Sequence, residues 1–204
     1  MSDAYSLYHE PWLHRESKQE RNVKVNQNHC MVDLETLGTH EDAMIVSIGA
    51  VVFDPFASRF VILNRFHQVV QLDSQLCRTM EPSTVVWWMQ QSDDARQIFE
   101  YPDTTLSDAL HQFYDFYTTR KCMRVWSHGV TFDVAILNHA YRSIGLYTPW
   151  TFRDVRDTRT IYDLYPNQTE LKTFFTHTHN ALQDAEDQAR ALHHVFQFRK
   201  GLAQ

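Results

Sequence analysis

Three apolar, β-type runs follow one another from Cys30: "CMVDLETLG", "MIVSIGAVVFDP" ending at Pro55, and "RFVILNRFHQVV". Each is rich in Val, Ile and Phe, and the connections carry Gly, Asp and Pro, so the pattern predicts consecutive antiparallel strands. The period then changes. In "EPSTVVWWMQQSDDARQIF" Val86, Met89 and Gln90 begin a helical repeat with Ser83 as its expected N-cap. Leu106, Leu110, Phe113 and Tyr117 recur at spacings of four, three and four in "TTLSDALHQFYDFYTTR", which predicts a second helix. "MRVWS" reads as a short buried strand, "HGVT" as a loop, and "FDVAILNHAYRSIG" as a helix stopped by Gly145. A brief strand and a helix are expected in "WTFRDVRDTRTIYDLY". The last segment places Ala181, Ala185, Ala189, Leu192 and Phe196 on one helical face, small enough at its start to pack closely on a sheet. The elements together predict an α/β fold: a mixed five-stranded sheet, three antiparallel strands and then two more, flanked by helices.

With 204 residues, 43% of them hydrophobic, the chain can bury one full core. One domain over residues 29–204 is expected. Residues 1–28 are polar and charge-mixed apart from Tyr5, Tyr8 and Trp12, and read as an extension, partly disordered or packed on the surface. No run approaches the roughly 20 apolar residues of a membrane span, and the N-terminus has no apolar signal-peptide core, so a cytoplasmic location is expected. Cys30, Cys77 and Cys122 are odd in number and far apart, which suits free thiols and gives no CxxC pattern. A formal net charge of −6 argues against a protein that coats nucleic acid with a broad basic surface. It leaves room for an enzyme that grips a few nucleotides, because clustered carboxylates add negative charge that bound cations reverse locally.

Three places concentrate chemistry. On a strand, side chains two apart share a face, so Asp33 and Glu35 lie side by side. Two close carboxylates repel each other and lose hydration; a shared proton or a divalent cation relieves both, and hard oxygen ligands suit Mg²⁺ or Mn²⁺. Read alone, the pair fits equally an edge strand with both acids in water. Asp133 starts a helix just beyond the C-terminal end of "MRVWS", where ligands gather in open α/β sheets, although an acid in a first helical turn is also favoured by the helix dipole. His179 and Asp184 are five residues apart and cannot share a helical face; they converge only if His179 precedes the helix. There a histidine suits general-base work near neutral pH, or serves as an ordinary surface residue.

The order D-x-E, then GxxFDxxxL, then HxxxxD, on these elements, resembles the DEDDh group of 3′→5′ exonucleases of the ribonuclease H-like superfamily, over roughly Cys30 to Phe198. Within it, "STVVWWMQQSDDAR" and "FRDVRDTRTIYDL" are most similar to the branch of phage exodeoxyribonuclease A, exodeoxyribonuclease VIII-like proteins and bacterial exoribonucleases. The resemblance implies a catalytic set of Asp33, Glu35, Asp133, His179 and Asp184. The four acids would hold two divalent metal ions, Mg²⁺ or Mn²⁺, and His179 would be the general base. The implied partner is a single-stranded 3′ end of DNA or RNA, shortened to nucleoside 5′-monophosphates; the resemblance allows a homodimer. Thr36, Leu37 and Gly38 directly follow the first acids and are expected to touch the terminal nucleotide. Phe132 and Trp87 or Trp88 are candidates for base stacking, with one tryptophan expected in the core and the other nearer the cleft, because helical neighbours point about 100° apart. Trp126 is expected in the core, and Asp157 as a helix cap. Two competing readings are a phosphodiesterase confined to dinucleotides or short oligonucleotides and a non-catalytic binding module on the same fold.

Overall fold

All nine residues of Ile45–Phe53 are buried, as are seven of the eight in His29–Thr36, with only Asp33 partly open. Strands buried on both faces belong in the middle of a covered sheet. In the computed structural model, which describes residues 27–102, 104–176 and 178–202, they are β1 (His29–Thr36) and β2 (Ile45–Phe53) of a five-stranded sheet. The others are β3 (Ile62–Val69), β4 (Arg124–Ser127) and β5 (Val155–Asp157), in the order β3-β2-β1-β4-β5. β1–β2 and β2–β3 are antiparallel; β1–β4 and β4–β5 are parallel, so the sheet is mixed as expected. Because β1 is the middle strand, the edge-strand reading of Asp33 and Glu35 does not hold. The expected extension over residues 1–28 lies outside the described residues except for its last two.

The helices are α1 (Pro82–Met89), α2 (Asp93–Arg96), α3 (Leu106–Thr119), α4 (Asp133–Ser143), α5 (Thr158–Tyr162), α6 (Gln168–Lys172) and α7 (Ala181–Leu202). Ser83 is not the cap of α1: Glu81 is, with Pro82 as the first helical residue, where a missing N–H costs nothing. The helical run breaks there too, since Ser92 caps α2 by accepting from the Ala95 N–H at 3.2 Å. Gly145 follows α4 at φ +74°, the left-handed conformation that ends helices.

Alternate β1 residues sort the core. Cys30, Val32 and Leu34 face a cluster built with α3 and α4, including Leu110, Phe113, Leu137 and Tyr141. Met31 faces the opposite cluster, with Trp126 and with Ala185, Ala189 and Leu192 of α7. Asp33 and Glu35 continue the Met31 side. Gly49, paired with Asp33 across β1–β2, admits α7: a Cβ at Gly49 would sit 2.1 Å from the Ala181 carbonyl carbon, closer than any side chain can approach. The stripe Ala181, Ala185, Ala189 and this glycine therefore bring the first turns of α7, and Asp184 with them, down onto β1 at the level of Asp33.

Candidate active site

Carboxylate oxygens of Asp33, Glu35 and Asp184 lie within 4.8 Å of one another. β1 supplies the first two and the first turn of α7 the third. Asp133 stands outside this trio. It is the first residue of α4, only 3% exposed, and its Oδ1 accepts from the Leu34 N–H at 3.2 Å. The sheet thus holds it directly behind the strand that carries the other two acids.

Burial and mutual repulsion disfavour ionisation throughout this group. Burial pushes Asp33 well above the ordinary carboxylate range, the charges of Asp133, Glu35 and Asp184 push it further, and a hydrogen bond from Gln188 opposes them. Glu35 is raised to about 8, first by burial and then by Asp184 and Asp133. Burial raises Asp133 to about 7 against the opposing Leu34 hydrogen bond. Four acids held this way form a donor set that fits hard divalent cations: oxygen ligands only, converging, with charge nothing in the cluster balances.

His179 precedes α7, in the left-handed region at φ +54°. Asn180 closes the helix behind it: its Oδ1 accepts from the Gln183 N–H at 3.1 Å and its carbonyl from the Asp184 N–H at 2.9 Å. Asp187 anchors the segment ahead of the histidine, accepting from the Thr176 N–H at 2.9 Å and its hydroxyl at 2.7 Å. So anchored, His179 and Asp184 both line one cleft of about 610 Å³, together with Asp33. The same cleft is walled by His128, Arg159, Tyr162, Lys172 and Phe175.

The tryptophans divide as their spacing predicts. Trp88 is 3% exposed and donates from Nε1 to the Thr36 carbonyl at 2.9 Å, so it is core and cannot stack on a base. Trp87 is 39% exposed, and its ring lies edge-on to His179 at 4.8 Å between centroids. Trp126 is core, and Asp157 caps α5 through the Arg159 and Thr160 N–H groups, as expected. Two expectations fail. Thr36, Leu37 and Gly38 are buried and spent internally: the Thr36 hydroxyl donates to the Gly38 carbonyl at 2.7 Å, the Leu37 N–H donates to Met44, and the Leu37 side chain packs with Val46 and Trp88. Phe132 leans on the cluster beneath α3 and α4 and is not among the side chains lining this cleft.

Gln188, unremarked in the sequence, donates from Nε2 to Asp33 Oδ1 at 2.7 Å and is 5% exposed. It lies one helical turn beyond Asp184, and that i+4 spacing was the available signal. His128, Arg159, Lys172 and Phe175 had no such signal, because only the fold gathers α5, α6 and the end of β4 around one cleft.

The sequence matches the 3′–5′ exoribonuclease Rv2179c-like domain family over residues 28–196. It is 28% identical to an exodeoxyribonuclease of enterobacteria phage T4 over a stretch covering 56% of each chain, so this chain spans about half the length of that curated relative. Among solved structures, the nuclease domain of 3′hExo, a DEDDh family member bound to rAMP, superposes with a TM-score of 0.61 at 16% identity, covering 85% of this chain and 93% of that one. S. pombe Pop2p in its Mg²⁺- and Mn²⁺-bound form superposes at 0.52 and 14% identity, over 81% of each chain. At these identities the two structures speak for the fold.

Proposed function

The chain belongs to the 3′–5′ exoribonuclease Rv2179c-like domain family, among the DEDDh exonucleases of the ribonuclease H-like superfamily, and from that membership we infer that it hydrolyses nucleic acid from the 3′ end to nucleoside 5′-monophosphates. The observation that carries this reading is the convergence of Asp33, Glu35 and Asp184 within 4.8 Å beside a cleft that His179 also lines.

Asp33, Glu35 and Asp184 would hold one divalent ion, and Asp33 with Asp133 a second. Bound there, Mg²⁺ or Mn²⁺ lowers the pKa of water and stabilises charge on the attacking and leaving oxygens. The chain's own groups do the rest. Gln188 fixes one Asp33 oxygen and so orients the carboxylate. His179 takes a proton from the attacking water; its place on a capped turn lets the ring reach into the cleft without disturbing α7. Trp87 offers the exposed aromatic face nearest His179, suited to stacking on any base.

A 5′-labelled single strand incubated with Mg²⁺ or Mn²⁺ should shorten progressively from its 3′ end, and EDTA should stop it. Internal cuts or loss of the 5′ label as mononucleotide would defeat the reading. His179→Ala should lower kcat by about 10²-fold while the metal-induced rise in unfolding temperature persists; loss of that rise would make the histidine a structural or ligating residue instead. Trp87→Ala should raise KM by about tenfold with kcat little changed, and an unaltered KM would remove it from the substrate path. A second reading, confinement to short oligonucleotides, draws support from the size of the cleft, about 610 Å³, and predicts that a dinucleotide is cleaved faster than a 20-residue strand.

A further inference from the structure

His128, at the mouth of β4, lines the cleft with Asp33 and Asp184 but has no part in the chemistry above. Its Nδ1 lies 3.0 Å from Thr158 Oγ1, and that hydroxyl lies 3.2 Å from the Ser127 carbonyl oxygen. A hydroxyl has one proton, and a carbonyl can only accept. Thr158 therefore donates to Ser127 and receives from His128, so Nδ1 carries the ring's hydrogen. Nε2 is left as an acceptor. Burial, aided by the Arg159 charge and opposed by Asp157, lowers the ring's pKa below its ordinary 6.5 and keeps it neutral at neutral pH. Tyr162 and Phe175 pack on the ring at centroid distances of 5.6 and 5.9 Å, which restricts its rotation.

A neutral acceptor facing a nucleic-acid cleft selects among the strand's groups. Phosphate oxygens only accept and are matched instead by Arg159 and Lys172 on the same walls, neither of which has a carboxylate in salt-bridge distance among the described residues. Base N–H groups differ from one nucleotide to the next. The donor present on every ribonucleotide and on no internal deoxynucleotide is the 2′-hydroxyl. Resting on the exonuclease reading, we propose that His128 Nε2 accepts a hydrogen bond from a ribose 2′-hydroxyl and makes RNA the preferred substrate over DNA.

The experiment compares kcat/KM for 20-residue strands of one sequence as RNA, DNA and 2′-fluoro RNA, which keeps an RNA-like sugar but has no hydroxyl proton. The native protein should cleave RNA about tenfold faster than either of the others, the worth of one hydrogen bond in a partly enclosed site. His128→Phe keeps a ring against Tyr162 and Phe175; it should bring RNA down to the DNA rate and leave DNA within about twofold. His128→Gln, whose amide oxygen accepts, should recover part of the preference. Equal rates on RNA and 2′-fluoro RNA with the native protein would overturn the proposal, as would a proportional loss on RNA and DNA in His128→Phe. If that variant does not fold, the native comparison of RNA with 2′-fluoro RNA decides alone. Failure of the native protein to release mononucleotides from any of the three would sink the exonuclease reading rather than the role of His128.

Discussion

Asp33→Asn should abolish metal-dependent mononucleotide release, by at least about 10³-fold, while leaving the ion-free protein as stable as the native one or more so. The loss follows from position: Asp33 is the acid nearest the others on the central strand, the proposed ligand of both ions, and several kcal/mol of transition-state stabilisation depend on bound metal. The stability follows from electrostatics. Asp33 is pushed well above its ordinary range by burial and by three neighbouring carboxylates, so its charge opposes folding when no cation is bound. An uncharged amide of the same size removes that repulsion and can still meet Gln188. Activity and unfolding temperature measured on one preparation separate the possibilities. Retained Mg²⁺-dependent activity would show that the metal site is wrongly assigned, and a drop of several degrees in unfolding temperature would mean that the carboxylate is a structural group.

The catalytic set was legible because each member's chemistry is tied to a local geometry. Two acids at i and i+2 on a strand must share a face, and a histidine five residues before an acid must leave the helix to meet it, as His179 does at φ +54°. What the local pattern left open was which strand is central. Only the pairing of β1 with both β2 and β4 turns Asp33 and Glu35 from surface acids into buried ones. Trp87 and Trp88 could be divided by helical angle but not assigned, since that depends on what α1 packs against. Thr36, Leu37 and Gly38 misled for the opposite reason. Adjacency in sequence to the acids suggested contact with substrate, but the β1 end is also where Trp88, Met44 and Glu81 tie the turn down. His128, Arg159 and Lys172 come from three separate segments, and no spacing along the chain announces a wall built that way.

The second large effect is on stability against pH. With no metal bound, the protein should lose stability as pH rises from about 4.5 to 8, the reverse of the usual behaviour of paired carboxylates. Glu35 ionises near 4.5 in an unfolded chain and near 8 in the folded one, and Asp133 near 3.8 and 7. Between those limits the folded state binds more protons than the unfolded state, so its stability falls with rising pH. Below the unfolded values both states are protonated and nothing is lost; above the folded values the loss is complete. At about 1.4 kcal/mol per pH unit, the interval from 4.5 to about 8 caps the contribution of Glu35 at roughly 5 kcal/mol. Because the acids titrate as a group, the loss is shared among them. The remedy is built into the same site. A divalent cation binds the ionised carboxylates, so Mn²⁺ should raise the unfolding temperature strongly at pH 8.5 and hardly at pH 5.5, where it must displace protons. Glu35→Gln isolates the effect from every other titration in the chain: its ion-free unfolding temperature should depend less on pH than that of the native protein. Parallel profiles for the two proteins would show that Glu35 ionises as readily folded as unfolded, and the case for a charge-starved cation site would go with it.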